Sequence, residues 1–221
     1  DLYYTTATHI GNSDLEAEQS EAFEAGIKYN HPFISGSLSF FHMKGRNMID
    51  WVKATPEALW ESRNHTRLNK QGLEGGLNLN LASWLGPDQP LRTLSVGYMY
   101  IDQERVEDEL ISNYTLNHLR HKVTAGLHHE VVKHLTLSWH FRWQQRVGSY
   151  VKYVDLKPGE RVAYSPFALL DMKANYAFPR TNLFLNINNI FNTTHVDFGN
   201  IPQPGLWLSG GVSIQLQKKS E

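Results

Sequence analysis

The chain has 221 residues, 41% of them hydrophobic and 12% aromatic, with a formal net charge of −1 and no cysteine. This balance excludes the broad basic field that holds nucleic acid, and it excludes disulfides and thiolate metal sites. No stretch approaches the roughly 18 apolar residues of a membrane-crossing helix, but the negative mean hydropathy also suits a transmembrane barrel, in which half of every strand is polar.

The amino terminus, DLYYTTATHI, has neither the basic region nor the apolar stretch of a signal peptide. Period-2 alternation then predicts nine strands. The first spans Gln19–Asn30, with Phe23, Ala25, Ile27 and Tyr29 on one face and Glu24, Gly26 and Lys28 on the other. The second spans Ser35–Val52 and the third Leu59–Ala82, where Leu77, Leu79 and Leu81 alternate with Asn78 and Asn80. The fourth is Arg92–Gln103 and the fifth Tyr114–Val131. In the sixth, Leu135–Val147, Leu135, Leu137, Trp139, Phe141 and Trp143 oppose Thr136, Ser138, His140, Arg142 and Gln144. The seventh is Phe167–Phe178 and the eighth Asn182–Asn192. The ninth, Leu206–Leu216 (LWLSGGVSIQL), sets Leu208, Gly210, Val212, Ile214 and Leu216 against small or polar residues.

A soluble sandwich would put Arg120, Lys122, Arg142, Asp171 and Lys173 in water, but it predicts strands of about 5–6 residues. Several of these alternations run for ten or more, the length of tilted strands crossing a bilayer. Connections also alternate. His31–Ile34, Gly86–Pro90, Val132–His134 and Pro179–Thr181 are short, whereas Asp50–Leu59, Glu104–Asn113, Gly148–Pro166 and Thr193–Pro204 are long. Short turns at one rim and long loops at the other are the pattern of outer-membrane barrels, as are aromatics near strand ends such as Tyr29, Phe33, Trp51, Trp60, Trp84, Phe178 and Trp207. The expectation is an all-β chain, an antiparallel transmembrane β-barrel portion. Nine is an odd count, and bacterial single-chain barrels close with even numbers, so either a strand is miscounted or the strands are part of a larger barrel. In a wet lumen, Asp171 and Glu130 are expected partners for Arg120, Lys122, Arg142 and Lys173.

Four segments resemble the carboxy-terminal half of the barrel of TonB-dependent outer-membrane receptors. Gly11–Glu18, GNSDLEAE, is similar to the family's "GNPxLKPE" and is followed by the strand SEAFEAGIKY. Asn47–Val52, NMIDWV, resembles the strand that runs into an extracellular loop, and Asn64–Glu74, NHTRLNKQGLE, the strand that returns. Asn186–Phe198, NINNIFNTTHVDF, with the ending GNIPQPGLWLSGGVSIQL, is the most specific likeness. Departures are Ser13 for the usual Pro, His195 where Tyr is common, and Leu216 in place of a final aromatic, with Gln217–Glu221 beyond it.

The resemblance implies about nine strands of a 22-stranded plugged barrel, with the plug domain and the first barrel strands outside residues 1–221. It implies residence in the outer membrane of a Gram-negative cell. It also implies TonB-dependent uptake of a scarce nutrient, an iron–siderophore, cobalamin or haem, bound by extracellular loops. Expected partners are that small-molecule nutrient or metal chelate, outer-membrane lipid, the TonB complex through the plug, and an assisting surface lipoprotein, with no nucleic acid. A TonB-dependent glycan transporter and a passive porin or adhesin-like barrel are the alternatives. Ser/His/Asp or paired-carboxylate chemistry has no recognisable motif here, so an enzyme is not expected. Loop residues that suit ligand contact are Tyr3, Tyr4, His9, Trp51, Trp60, Tyr114, Tyr150, Tyr153 and His195. Alternation sends His128 and His129 to opposite faces, and no H-x-H or HExxH pattern occurs, so neither a metal site nor a cofactor is expected. His9 and His195 are the histidines best placed to meet haem as cargo.

Overall fold

The computed structural model describes residues 2–55, 57–86, 88–106, 110–112, 118–155, 157–197 and 199–215. In chain order the elements are β1 (His9–Ile10), β2 (Gln19–Asn30), β3 (Ile34–Lys53), β4 (Trp60–Asn80), α1 (Leu81–Leu85), β5 (Leu91–Val106), β6 (Ile111–Ser112) and β7 (Leu119–Val132). They continue with β8 (Leu135–Arg146), β9 (Ser149–Val154), β10 (Lys157–Ala163), β11 (Phe167–Ala177), β12 (Thr181–Asn188) and β13 (Trp207–Ile214). The nine strands read from alternation are β2, β3, β4, β5, β7, β8, β11, β12 and β13. They form one antiparallel sheet in the order β13-β12-β11-β8-β7-β5-β4-β3-β2. Among the described residues no second sheet packs face to face against it, as a sandwich would require.

Register makes the two faces of this sheet chemically distinct. Directly paired residues share a face, and one row runs Ile34, Leu79, Leu94, Leu127, Trp139, Met172, Ile187, Leu208 across eight strands. A neighbouring row on the opposite face runs Asn80, Thr93, His128, Ser138, Lys173, Asn186, Ser209. The apolar face is not packed on protein: Phe23 is 64%, Ile27 69% and Ile214 64% exposed. The polar face is hydrogen-bonded along its rows. His128 Nδ1 and Ser138 Oγ share a bond of 2.9 Å, and Asn186 Nδ2 donates to Ser209 Oγ at 3.2 Å. Lys70, Arg142 and Lys173 lie over the rings of Phe41, Phe167 and Phe184 at 5.8, 5.9 and 5.8 Å. A sheet with one greasy and one wet face, each continuous over many strands, is a wall between lipid and an aqueous lumen. Within the described residues, β2 pairs only with β3 and β13 only with β12, so both lateral edges carry free backbone donors and acceptors.

At one rim the connections are tight. His31 N–H donates to Ile34 O (2.8 Å), Ile34 N–H returns to His31 O (3.1 Å), and Phe178 N–H donates to Thr181 O (2.7 Å). Between β4 and β5 the expected short connection includes α1, because Asn80 Oδ1 accepts from Ser83 N–H at 3.1 Å and caps a single turn of helix. Leu81 of that turn is buried, whereas Trp84 is exposed.

Two expected charge partnerships are corrected. Glu130 pairs with Arg92 across β5 and β7 at the short-turn rim, because the strand carries it away from the mid-wall cations. Asp171 Oδ1 accepts the backbone N–H of Asn189 at 2.7 Å, so it serves the β12 terminus. Arg120 faces Asp102 at 3.9 Å.

Candidate functional site: the long-loop rim

At the opposite rim β3 and β4, of 20 and 21 residues, continue beyond the apolar belt. Their extensions gain extra edges. The short β1 pairs in parallel with β4 (His9 with Trp60), and β6 pairs with β3 (Val52 with Ser112). This local thickening creates a core that the single-layered wall cannot: Val52 and Ser62 are 1% exposed and Asp50 2%. Ser62 Oγ donates to Leu2 O at 2.7 Å, which ties the amino-terminal segment down. His9 stands edge-on to Trp51, with ring centroids 4.7 Å apart, and Lys53 Nζ lies 4.8 Å from the Trp60 ring.

The three recognised amino-side motifs meet in one hydrogen-bond network. Asn64 Oδ1 accepts from Glu16 N–H (2.7 Å), while its Nδ2 donates to Glu16 O (2.9 Å) and Asn47 O (2.7 Å). Asn47 Nδ2 donates to Glu16 Oε2 (2.9 Å), and Glu18 Oε1 accepts from Ile49 N–H (2.7 Å). Asn47 has φ 54°, in the left-handed region that asparagine tolerates, where the β3–β4 register slips between Gly45 and Met48. The bulge turns backbone groups out of the ladder: Glu18 accepts from Ile49 N–H and Asn64 donates to Asn47 O, while Glu16 holds the Asn47 side chain.

A second junction closes the other side of the rim. Asn189, with φ 51° and 4% exposed, ends β12. Its Nδ2 donates to Thr193 O (3.0 Å) and Pro204 O (3.2 Å), and its Oδ1 accepts from Thr193 N–H (2.9 Å). Asn192 Oδ1 accepts from Leu206 N–H at 2.9 Å. The closing segment also reaches β8 and the loop hairpin: Gln144 Nε2 donates to Asp197 Oδ1 at 2.6 Å, Arg146 lies 3.4 Å from it, and Tyr164 Oη accepts from Gly199 N–H at 2.9 Å. Between β8 and β11 the long connection folds into its own hairpin, β9–β10.

The nine loop candidates therefore divide. His9, Trp51 and Trp60 come together, with Trp51 buried. Tyr150 packs on Tyr164 at 5.2 Å. His195 is buried against Phe167 at 4.3 Å, and its Nδ1 lies 3.1 Å from Thr193 O. Tyr3, Tyr4 and Tyr153 stand exposed, and Tyr114 lies outside the described residues. Leu216 and the tail after it also lie outside them. Among the described residues no three His, Asp or Glu side chains converge as metal ligands. Reading alternation alone misses Glu16, Glu18, Asn64 and Asn189, whose roles lie in backbone capping. Their one sequence signal is that they fall inside the motif segments.

A model of the TonB dependent receptor-like, beta-barrel family matches residues 1–190. The chain belongs to the TonB-dependent receptor family. Members of this family are outer-membrane β-barrels. The chain is similar in structure to the FrpB iron transporter from Neisseria meningitidis (F3-3 variant), with TM-score 0.66 and 21% identity over 91% of this chain and 32% of that one. It is similar to the pyoverdine outer membrane receptor FpvA from Pseudomonas aeruginosa PAO1, with TM-score 0.68 and 17% identity over 98% of this chain and 32% of that one. In sequence it is 31% identical over 74 residues to the vitamin B12 transporter BtuB of Vibrio vulnificus, a match covering 34% of this chain and 12% of that protein. The chain thus spans about a third of these solved receptors, and at such identities the structural likeness concerns the fold. Relatives of this kind are transporters and receptors rather than enzymes.

Proposed function

We propose that residues 1–221 are the carboxy-terminal part of the barrel of a plugged TonB-dependent receptor, and that its long-loop rim faces the outside and captures a scarce metal chelate or cobalamin. The observation that carries this reading is the sheet itself: an eight-strand apolar row backs onto a polar, hydrogen-bonded one in a chain of this family. The rim supports it. Two polar junctions hold the loop bases rigid, and exposed Tyr3, Tyr4 and Tyr153 project from that framework, where rigidly anchored aromatic loops suit ligand capture. Trp51 and His195, being buried, act in this reading as supports for those loops. An iron–siderophore, cobalamin and haem are the cargo classes in view.

The experiment uses the whole receptor that carries this chain, extracted from outer membranes. Its intact mass is expected near three times 25.4 kDa. Labelled ferric siderophores, cyanocobalamin and haemin are then offered to cells with and without TonB. Saturable uptake of one of them that vanishes without TonB supports the reading. Ion conductance of the purified protein with no binding of any of the three would replace it with a passive porin.

A further inference from the structure

Two histidines from different strands meet on the polar face of the sheet. His128 is on β7 with Ser138 of β8 directly opposite, and His140 is on β8 with Gly126 of β7 directly opposite. His128 leans onto β8, where its Nδ1 lies 2.9 Å from Ser138 Oγ. His140 leans the other way, onto β7: its Nδ1 lies 3.7 Å from the point where a Cβ on Gly126 would stand. Both rings therefore occupy the groove between the same two strands, two rows apart. Residues i and i+2 of one strand share a face and lie about 6.6 Å apart, so the pair has the spacing of H-x-H on a single strand. The sequence contains no such triplet; the β7–β8 register builds its equivalent from residues twelve positions apart.

The groove is open and polar at this point. Gly126 brings no side chain into it, and Ser95 and Asp171 extend the same row on either side, Ser95–Gly126–His140–Asp171. His140 is exposed and makes no hydrogen bond to another described residue. Engagement of His128 Nδ1 by the Ser138 hydroxyl leaves Nε2 as the nitrogen for a ligand, and a bond of this kind at the other nitrogen is what orients ligating imidazoles. The cations beside the pair are drawn away from the groove. Lys173 lies over the Phe184 ring at 5.8 Å and Arg142 over the Phe167 ring at 5.9 Å, and both rings belong to strands on the far side of β8 from β7. Asp171 has its Oδ1 on Asn189 N–H at 2.7 Å. No three His, Asp or Glu side chains converge among the described residues, so this is a two-imidazole site whose remaining positions fall to water.

We infer that His128 and His140 form a binding site for a divalent transition-metal ion on the polar face of the wall. Imidazole donors suit Cu²⁺, Ni²⁺ and Zn²⁺, whereas Mg²⁺ and Ca²⁺ take oxygen. Metal–nitrogen bonds of about 2.0–2.1 Å are within reach of two rings that lean into one groove. Two protein ligands leave the ion exchangeable, which within the proposed uptake function makes the pair a resting point for a cargo metal. The binding itself rests on the strand register and not on that function.

The test uses the whole receptor, purified in detergent and stripped of metal with a chelator, with Cu²⁺ as the probe. Bound ion is counted by equilibrium dialysis, and its ligands are read from nitrogen hyperfine splitting in the electron paramagnetic resonance spectrum. The wild type is compared with His128→Gln, His140→Gln, the double variant and a control, His134→Gln, whose exposed ring lies in the turn at the short-turn rim. Each single substitution is expected to weaken the site by about tenfold or more. The double variant should lose one Cu²⁺ per receptor together with the two-nitrogen signal, and the control should lose neither. Heat-modifiable electrophoretic mobility checks that each variant is folded, and His140→Gln, which breaks no bond to a described residue, carries the test if His128→Gln does not fold. Equal numbers of ions on the wild type and the double variant would overturn the site, as would equal loss in the control. Displacement of the Cu²⁺ by equimolar Mg²⁺ would also overturn it, since that result assigns a carboxylate site. Neither readout needs TonB or a membrane. Uptake indifferent to TonB with the two-nitrogen signal intact would sink the transport reading alone, whereas TonB-dependent uptake without that signal would sink the metal site alone.

Discussion

The two rims of the wall are built by different physics. At the short-turn rim the chain reverses within a few residues, and the backbone satisfies itself through pairs such as His31 with Ile34 and Phe178 with Thr181. At the long-loop rim the reversals are long and side chains do the work: Asn64, Glu16 and Asn47 on one side, Asn189 and Asn192 on the other. The most buried polar residues, Asp50, Ser62, Gln144, Asn189 and His195, all belong to this second rim or its approach. A rim closed by tight turns leans on few side chains, here the Asn80 cap of α1 and Glu130 beside His134. A rim held by buried amide side chains depends on each of them, since an orphaned buried partner costs more than a bond contributes.

The largest expected effect tests that dependence directly. Asn189→Ala removes one acceptor and two donors from a nearly buried turn and leaves Thr193 N–H, Thr193 O and Pro204 O without this partner. The expected loss is about 3 kcal/mol or more, and alanine at φ 51° adds about 1 kcal/mol of backbone strain. Asn189→Gly keeps the backbone relaxed but loses about 0.5–1 kcal/mol to the greater freedom of the unfolded chain, so the difference between the two variants reads the alanine strain less that entropy. The readout is the urea concentration at which the whole receptor loses its heat-modifiable mobility. If both variants match the wild type, the rim is not held as described.

Asn64→Ala should come next, at about 2 kcal/mol, because it removes three bonds at a less buried position. Its effect should also be local. Limited proteolysis is expected to cut between Gly11 and Gln19 more readily in the variant than in the wild type, because Asn64 makes both bonds to the Glu16 backbone and leaves only the Asn47 contact to its side chain. A uniform loss of protease resistance along the barrel would contradict a local clasp.

The wall and the short-turn rim were legible in the sequence because both are short-range. Alternation gives the face of each residue, and β2 spans Gln19–Asn30 as read around the alternating Phe23, Ala25, Ile27 and Tyr29. Strand ends went wrong where a side chain captures the backbone. β12 stops at Asn188 instead of reaching Asn192, because Asn189 takes φ 51° and turns its amide into the loop. β4 stops at Asn80 instead of Ala82, because Asn80 caps α1. The hairpin β9–β10 and the short strands β1 and β6 carry too little alternation to be seen, and β1 exists only because β4 offers it an edge. At the rim, the pairing of His9 with Trp51 and Trp60 joins residues more than forty positions apart. No local period encodes that meeting. The same holds for Asn64 and Glu16, 48 residues apart, although the motif resemblance marked both segments.

The smallest effect is expected at the short-turn rim and has the opposite sign. His134 sits at φ 73° in the turn between β7 and β8, a conformation that costs a side-chain-bearing residue about 1–2 kcal/mol. Its ring is exposed, and what the turn uses is backbone: His134 O accepts from Ala177 N–H at 2.9 Å, and His134 N–H donates to Glu130 Oε1 at 3.3 Å. Glycine keeps both bonds and relieves the strain, but it loses about 0.5–1 kcal/mol to the greater freedom of the unfolded chain. His134→Gly should therefore raise stability by about 0.5 kcal/mol, the difference of those two terms. His134→Ala should change it little, because alanine keeps the strain and the ring contributes no bond of its own. If glycine destabilised the receptor as much as Asn189→Gly does, the short turn would rest on its side chain, and the division between the two rims would fail.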